Sequence, residues 1–226
     1  GPAGVPTVVT SFSDFQNKFG DVFKSGSNSY QFLTSHAAEQ YLKHSNTLTV
    51  VRILDGVFSE ATASVITSSA AGDLASDARS GTSFKLHTLS DGAIMNNADS
   101  TARSNNILLS GSKHNVRYEV SNINKKKGSF TLLVRRGDDT HKRKQILETF
   151  NNVNLDPKSP NYIAKMIGDQ VQTIRTDENG KPFLQLSGSY ANKSHYVRVS
   201  SIQDTVDYLN ENGDLTDTNA SASLPH

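Results

Sequence analysis

The sequence predicts an α+β fold, in which a partial βαβ core is followed by a hairpin-rich, mostly antiparallel β domain with one or two helices. Three observations lead to this prediction. Apolar residues with helical spacing occur in two stretches near the beginning of the chain and in one short stretch later. An almost continuous apolar strand follows the first two stretches. Beyond residue 82, apolar and polar residues alternate with the period of half-buried strands.

The first predicted elements are a strand over residues 5–10 and a short helix. Ser11 is placed to cap the N-terminus of the helix, and Asp14, three residues later, completes a capping box. Gly20 is placed to end the helix in the left-handed conformation. The helical spacing predicts that one face of this helix carries Phe12, Phe15 and Phe19.

A second helix and a second strand complete the predicted βαβ unit. The helix follows a loop rich in Ser, Gly and Asn, and residues 47–54 (TLTVVRIL) form a strand whose apolar run indicates burial on both faces. Because helices connect the two strands, we expect the strands to run parallel with a right-handed crossover. The predicted apolar stripe of the second helix comprises Tyr30, Leu33, Ala37, Ala38, Tyr41 and Leu42.

The composition divides the chain into three predicted parts. Residues 1–56 form the N-terminal part of an α/β core. Residues 57–82 are rich in Ser, Ala, Thr and Asp, which is typical of a linker or a surface excursion. Residues 83–226 form a β-rich domain.

The β-rich domain is predicted to begin with a strand and a long hairpin. The strand ends in a turn at Asp91-Gly92, and the hairpin loop covers residues 124–128, where Gly128 supplies a positive φ. The positions predicted to face the core are Phe84, Leu86 and Thr88 in the strand, and Val116, Tyr118, Val120, Phe130, Leu132 and Val134 in the hairpin.

A short helix is predicted in the middle of this domain. Residues 145–150, which precede it, fit either a strand or a helix. Ser159 and Pro160 have the pattern of a helix N-terminus, and Gly168 is placed to end the helix. The predicted buried stripe of this helix comprises Tyr162, Ile163, Met166 and Ile167.

The remaining predicted elements are strands. Residues 171–176 and 183–187 flank a turn over residues 177–180 and form a second hairpin. Residues 196–199 (YVRV) form a last short strand.

The net charge of +1 hides a basic segment over residues 113–144. This segment has ten Lys or Arg and three Asp or Glu, a net charge of +7, whereas the remaining 13 basic and 19 acidic residues give −6. The segment could bind a polyanion, or it could meet an acidic surface of an identical subunit. Nucleic acid is not the expected partner, because the nearby aromatic residues Tyr118 and Phe130 are at core-facing positions and base stacking needs exposed rings.

The sequence predicts no catalytic, cofactor-binding or metal site. It has no cysteine and no motif of a known nucleophile or phosphate-binding loop. Asp138 and Asp139 could be drawn as a metal site, but a solvated turn that closes the hairpin is the favoured interpretation. Asn192 begins a glycosylation sequon, a pattern too common to indicate function. No pair of histidines has metal-ligand spacing among His36, His44, His87, His114, His141, His195 and His226.

Several segments together resemble the contractile tail sheath proteins of myophages, and they are most similar to those of T-even-like phages. The phrase NLDPKSPNYI, within residues 148–170, is the most specific part of the resemblance. The segments occur in the order of the family: Gly1-Pro2 with PTVVTSFSDFQNKFG (6–20), HAAEQYLKHSNTLTVVRILDG (36–56), SFKLHTLSDGAIMNN (83–97), GSFTLLVRRGDD (128–139) and ETFNNVNLDPKSPNYIAKMIGDQ (148–170).

The resemblance implies a structural subunit without enzymatic activity or cofactor. Sheath subunits assemble in the host cytoplasm as stacked hexameric rings around the tail tube, and they contract in the virion to drive the tube through the host envelope. The expected partners are other sheath subunits, the tail tube and the baseplate, with no membrane insertion.

The resemblance also implies that the chain is a part of a sheath protein, without its N-terminal arm and its C-terminal domain. The first residue is Gly1 rather than Met, and the last stretch is small and polar, so both ends are expected to be cut. Residues 83–226 then correspond to the outer domain, incomplete at its C-terminal end. Three alternatives remain open: the sheath of a bacterial injection system or tailocin, a polyanion-binding module, and a hydrolase whose acid and base converge only in the fold.

Overall fold

The computed structural model describes residues 1–25, 28–53, 59–67, 81–91, 116–137, 139–217 and 219–226. Within them the fold is α+β and the strand pairs are mostly antiparallel, as predicted. The helices are α1 (Phe12–Phe19), α2 (Leu33–Leu42) and α3 (Ile163–Ile167), with a 3₁₀ helix over Ala220–Ser223. The strands are β1 (Thr7–Val9), β2 (Val22–Ser25), β3 (Asn28–Gln31), β4 (Leu48–Val50), β5 (Glu60–Ile66), β6 (Thr82–Asp91), β7 (Val116–Asn124), β8 (Ser129–Arg136), β9 (Ile146–Asn154), β10 (Val171–Thr176), β11 (Pro182–Ser187) and β12 (Val197–Ser200).

The chain divides into two compact units. Unit 1 contains residues 1–61, 88–117 and 174–184, and unit 2 contains residues 62–87, 118–173 and 185–226. The predicted boundaries at residues 56 and 82 stay a prediction. The segment between them nevertheless contains strand β5, so it is not a linker throughout.

Helix α1 of unit 1 begins and ends at the predicted residues. The Asp14 N–H donates to Ser11 Oγ at 3.1 Å, and Asp14 Oδ2 accepts from the Thr10 N–H at 3.3 Å. Gly20 follows the helix with φ of 77°, a conformation that glycine adopts without steric cost. Its N–H donates to the Gln16 carbonyl and so satisfies one of the last free acceptors of the helix.

The core of unit 1 forms where the two helices meet strands β1 and β4. The Phe15 ring lies 5.9 Å from the Phe12 ring and 5.5 Å from the Phe19 ring, which confirms the predicted aromatic face. The buried residues are Val9, Phe15 and Ala38, and they are packed by Phe12, Phe19, Leu42, Leu48 and Val50.

The predicted parallel pairing of the first two core strands is wrong. Strand β1 pairs antiparallel with β4, and Val9 at the end of β1 faces Leu48 at the start of β4. The connection is not a single crossover helix but contains α1, the β2–β3 hairpin and α2. Strand β4 therefore begins at the same end of the two-stranded sheet at which β1 ends, and it runs in the opposite direction.

The predicted burial of the second core strand on both faces is also wrong. Strand β4 is only three residues long, β1 is its described partner, and the Ile53 side chain beyond it is 89% exposed. The stripe of α2 is narrower than predicted, because Leu33 is 82% exposed, Tyr41 is 52% exposed and Tyr30 lies in β3. The sequence shows which residues are apolar, but it does not show which of these side chains will be buried against another element.

Unit 2 contains most of two three-stranded sheets, one with the strand order β12-β6-β5 and the other with the order β7-β8-β9. The Phe84 ring of β6 stacks on the Phe130 ring of β8 at a centroid distance of 5.8 Å. The predicted inward positions of β6 and β8 are confirmed as buried: Phe84, Leu86, Thr88, Phe130, Leu132 and Val134.

Tyr118 is an exception, since it is 40% exposed instead of core-facing. It lies on β7, an outer strand that pairs only with β8 among the described strands. Asn122 at φ of 50° also interrupts the regular alternation along this strand. Of the segment 145–150, which fitted either a strand or a helix, residues 146–150 belong to strand β9.

Helix α3 starts later than predicted, at Ile163 rather than after Ser159. The Ser159 hydroxyl accepts from the Asn161 N–H at 3.1 Å and from the Asn154 side-chain amide at 2.7 Å. These bonds fix a turn before the helix instead of its first turn. Gly168 ends the helix as predicted, with φ of 109°.

Strands β10 and β11 form the predicted second hairpin. The Asp177 N–H donates to the Lys181 carbonyl at 2.9 Å, and Gly180 in the turn has φ of 76°. The predicted turn at Asp91-Gly92 extends outside the described residues, which end at 91 in this segment.

We predict that Gly128→Ala destabilises the protein much more than Gly180→Ala. Both glycines have positive φ, and an alanine in this conformation loses about 1–2 kcal/mol. A Cβ at residue 128 would also lie 2.6 Å from the ring of the buried Tyr208, whereas a Cβ at residue 180 meets no atom within 4 Å. Chemical denaturation of the two variants measures the difference, and equal losses of stability would contradict the packing of Tyr208 on this turn.

Candidate functional site

The basic segment of residues 113–144 is divided between the two ends of strand β8. One end is the turn of residues 124–128, which we call the hairpin tip, and the other is the loop of residues 137–145. The eight residues of β8 separate these ends by roughly 26 Å at about 3.3 Å per residue. The segment is therefore two separate basic regions, and residues 113–115 and 138 lie outside the described part of the chain.

At the loop end, Arg135 forms a bidentate ion pair with Asp139. The Arg135 Nε lies 2.7 Å from Asp139 Oδ2, and its Nη2 lies 2.9 Å from Asp139 Oδ1. The exposed fractions of the two side chains are 4% and 0%. The Gln145 N–H donates to the same carboxylate at 3.1 Å.

The interpretation of Asp138-Asp139 as a solvated turn is therefore wrong for Asp139. The carboxylate is buried because a guanidinium and a backbone N–H bind both of its oxygens, which offsets the free energy of removing it from water. Asp138 itself is not described. In the described part of the chain, no group of three or more His, Cys, Asp or Glu could hold a metal ion.

Glu119 extends this pair into a four-residue network of Glu119, Arg135, Asp139 and Lys144, which we call the ion-pair network. Glu119 Oε2 accepts from Arg135 Nη1 at 2.8 Å, and Oε1 accepts from Lys144 Nζ at 2.6 Å. Hydrogen bonds from Lys144, and then from Arg135, hold the pKa of Glu119 below its ordinary value. The bonds to Asp139 raise the pKa of Arg135 further above its ordinary range.

The network contains two cations and two carboxylates, so its charges balance. It joins β7, β8 and the residue two positions before β9. The register between β8 and β9 shifts between Val134 and Arg135, and such a bulge re-aims the side chains beside it. These four groups fix the strand ends, and their own charges are neutralised within the network; the exposed Lys142 and Arg143 of the same loop are not part of it.

The hairpin tip has the opposite character. Lys125, Lys126 and Lys127 are all exposed, and none forms an ion pair in the part of the chain that the structure describes. The Asn124 Oδ1 accepts from the N–H groups of Lys126 and Lys127, each at 3.1 Å. The Tyr208 hydroxyl donates to the Lys125 carbonyl at 2.6 Å.

A third polar cluster lies around α3, and sequence reasoning gave no signal for it. The Tyr162 hydroxyl donates to Asp204 Oδ1 at 2.7 Å. Burial, and then this bond, raise the pKa of Tyr162 well above its ordinary value. The Lys165 Nζ donates to the carbonyls of Pro157 (2.6 Å) and Ser159 (3.0 Å). All of these contacts bring segments of the fold together, and Asp204 also lines a cavity of about 520 Å³.

His87 and the sequon residue Asn192 take part in local structure. His87 Nε2 lies 2.7 Å from the Ser200 hydroxyl, so this pair links the neighbouring strands β6 and β12. The Asn192 side chain accepts from the Gln170 N–H at 3.0 Å and donates to the Gln170 carbonyl at 2.7 Å. This amide is occupied by the fold, which argues against glycan attachment. His114 lies outside the described residues.

A search of known family models, curated proteins and solved structures finds no match to this chain. Among the described residues, no helix has the length and apolar character that crossing a bilayer requires.

We predict that Asp139→Asn destabilises unit 2 by about 3–5 kcal/mol, because breaking a buried ion pair leaves Arg135 without its main counter-charge. The control is Asp207→Asn, which breaks the Lys158–Asp207 pair of the same 2.7 Å length but with side chains that are 65% and 58% exposed. We expect no measurable change in the control, since solvent screens exposed pairs. Urea denaturation compares the two variants, and a stable Asp139→Asn protein would contradict the importance of the network.

We predict an acid-sensitive contribution to stability from Glu119. Because its folded pKa lies below the ordinary value of 4.5, the unfolded chain binds the proton first as pH falls. The contribution is complete above about pH 4.5 and decreases as pH falls through the folded pKa. Glu119→Gln and Lys144→Met should both reduce stability at pH 7 and flatten the acid limb of the stability curve. Unchanged acid limbs in both variants would show that Glu119 does not carry the effect.

Proposed function

We propose that this chain is part of a structural subunit of a phage contractile tail sheath. The complete subunit assembles as stacked hexameric rings around the tail tube and contracts to drive the tube through the host envelope. The observation that carries the proposal is the resemblance of five segments to sheath proteins in the order of the family, above all NLDPKSPNYI within residues 148–170.

The position of this phrase in the fold supports the proposal. It contains the end of β9, the turn fixed by Ser159, and the buried residues Tyr162 and Ile163 at the start of α3. Tyr162 binds Asp204, 42 residues later in the chain. A specific sequence is therefore required here by the fold of unit 2, as expected for a protein whose function is structural.

The use of polar side chains supports the same role. The Arg135–Asp139 pair, the Tyr162–Asp204 bond and the 2.6 Å bond from Ser194 to Glu148 all connect parts of the backbone. Side chains committed in this way position strands and loops. We accordingly propose that the protein has no enzymatic activity and no cofactor, and that it acts through its partners: further sheath subunits, the tail tube and the baseplate in the virion.

We further propose that the complete subunit contains an arm and a domain in addition to this chain. The exposed apolar residues of unit 1 support this view, since Ile53 is 89% exposed, Leu33 is 82% exposed and Val51 is 50% exposed. Large apolar side chains as exposed as these are candidates for contact with another element, although single exposed apolar residues also occur on ordinary surfaces. A bacterial injection system or a tailocin would use the same kind of subunit, and the genes beside this one distinguish these origins from a phage.

We predict that the complete gene product forms rings or tubes that negative-stain electron microscopy detects. The matched control is the present 226-residue chain, which should form neither, because it lacks the elements that we propose to link neighbouring subunits. A complete product that stays monomeric at high concentration would overturn the proposed function.

A further inference from the structure

We propose that the hairpin tip is a binding site for an anionic polysaccharide, held by the ammonium groups of Lys125, Lys126 and Lys127. This inference does not depend on the sheath proposal, because it rests on the charges and packing of the tip alone.

The first argument is the distribution of neutralised and free charge in the basic segment. Arg135 and Lys144 are neutralised by Asp139 and Glu119 at the loop end of β8. The three tip lysines have no such partners among the described residues. Lys142 and Arg143 at the loop end are exposed as well, but only the tip has three unpaired cations on consecutive described residues. Like charges on consecutive residues repel one another, so an anion that bridges them stabilises the tip.

The second argument is that the backbone of the tip is held in place before any ligand binds. The Asn124 side chain accepts two backbone N–H groups of the turn, and the buried Tyr208 donates to the Lys125 carbonyl. Gly128, with φ of 65°, lies against the Tyr208 ring and leaves no room for a Cβ. A fixed turn loses less conformational entropy on binding than a flexible loop, which favours recognition of a charged chain.

The third argument is a cavity of about 800 Å³ beside the tip. Among the described residues, its lining includes Lys125, Lys126, Asn122 and Asn124 together with Pro225 and His226, and none of the described lining residues is Asp or Glu. Ammonium groups attract sulfate or carboxylate groups, and side-chain amides can bond to sugar hydroxyls. The cavity thus combines the two kinds of group that an anionic polysaccharide requires.

The aromatic residues beside the tip argue against a single-stranded nucleic acid, and the exposed Tyr118 lies farther along β7, roughly 20 Å from residue 124 at about 3.3 Å per residue. Tyr208 is 6% exposed and Phe130 is 1% exposed, so neither offers a face on which a base could stack. Recognition at the tip is therefore by charge and hydroxyl contacts, and duplex DNA is the competing ligand that an experiment must separate.

The experiment measures binding of heparin to the 226-residue protein by titration calorimetry over a series of salt concentrations. The test variant is Lys125→Gln/Lys126→Gln, which removes the two cavity lysines. The control variant is Lys142→Gln/Arg143→Gln, which removes two exposed cations at the far end of β8 and so has the same net charge. We expect the test variant alone to lose affinity, with a salt slope lower by roughly 2, about one for each lost contact. Thermal unfolding checks that both variants remain folded.

Three results would overturn the proposal. One is the absence of heparin binding by the unmodified protein at low salt. Another is an equal loss of affinity in both variants, because net charge and not the tip would then determine binding. The third is tighter binding to a duplex DNA probe than to heparin through the same two lysines, since the ligand would then be a nucleic acid.

Discussion

The bidentate ion pair between Arg135 and Asp139 is the contact on which the geometry of unit 2 depends most. Asp139 follows the end of β8, so the pair closes the chain reversal there. The same carboxylate binds the Gln145 N–H, and the Gln145 carbonyl accepts from the Arg136 N–H at 2.9 Å. The start of β9 is therefore fixed relative to the end of β8. Glu119 adds β7 to the arrangement through the same guanidinium, so one buried cation sets the positions of three strands.

Burying this pair is not an efficient way to gain stability, because removing two charges from water has a large free-energy cost. The ion pair instead fixes the relative orientation of the strand ends. A guanidinium and a carboxylate bind strongly in only a few orientations, whereas apolar side chains can slide past one another. Both faces of β8 carry buried side chains. One set is polar or charged (Ser129, Thr131 and Arg135), and the other is apolar (Phe130, Leu132 and Val134). Strand β8 is thus covered on both faces, and the bulge beside Arg135 turns the charged group toward its partners.

Local chemistry was predictable from the sequence, and pairing over long distances was not. The cap at Ser11, the ends of α1 and α3 at Gly20 and Gly168, and the buried apolar positions of β6 and β8 all follow from interactions within a few residues. The burial of the polar face of β8 was not predicted, because the alternation indicates a half-buried strand. The direction of the β1–β4 pair depends on a connection of almost forty residues, and the exposure of Ile53 depends on whether another layer covers it. The prediction of a solvated turn is wrong for Asp139 for the same reason. Its position beside a turn gives no sign that Arg135 and Gln145 will enclose its carboxylate. Acidic residues that follow a basic strand end indicate a possible ion pair. Whether the carboxylate forms that ion pair or stays in solvent depends on the tertiary fold.

The polar contacts of unit 2 connect segments that are far apart in the chain. Glu148 binds Ser194, Tyr162 binds Asp204, and Tyr208 binds the Lys125 carbonyl, over separations of 46, 42 and 83 residues. Unit 2 also has an apolar core, which buries Phe84, Phe130, Leu155 and Ile167, and these directional bonds fix the long connections around that core. Such bonds keep their geometry or break, and they permit little gradual deformation. Unit 2 therefore resists gradual deformation at the points where these bonds join its distant segments.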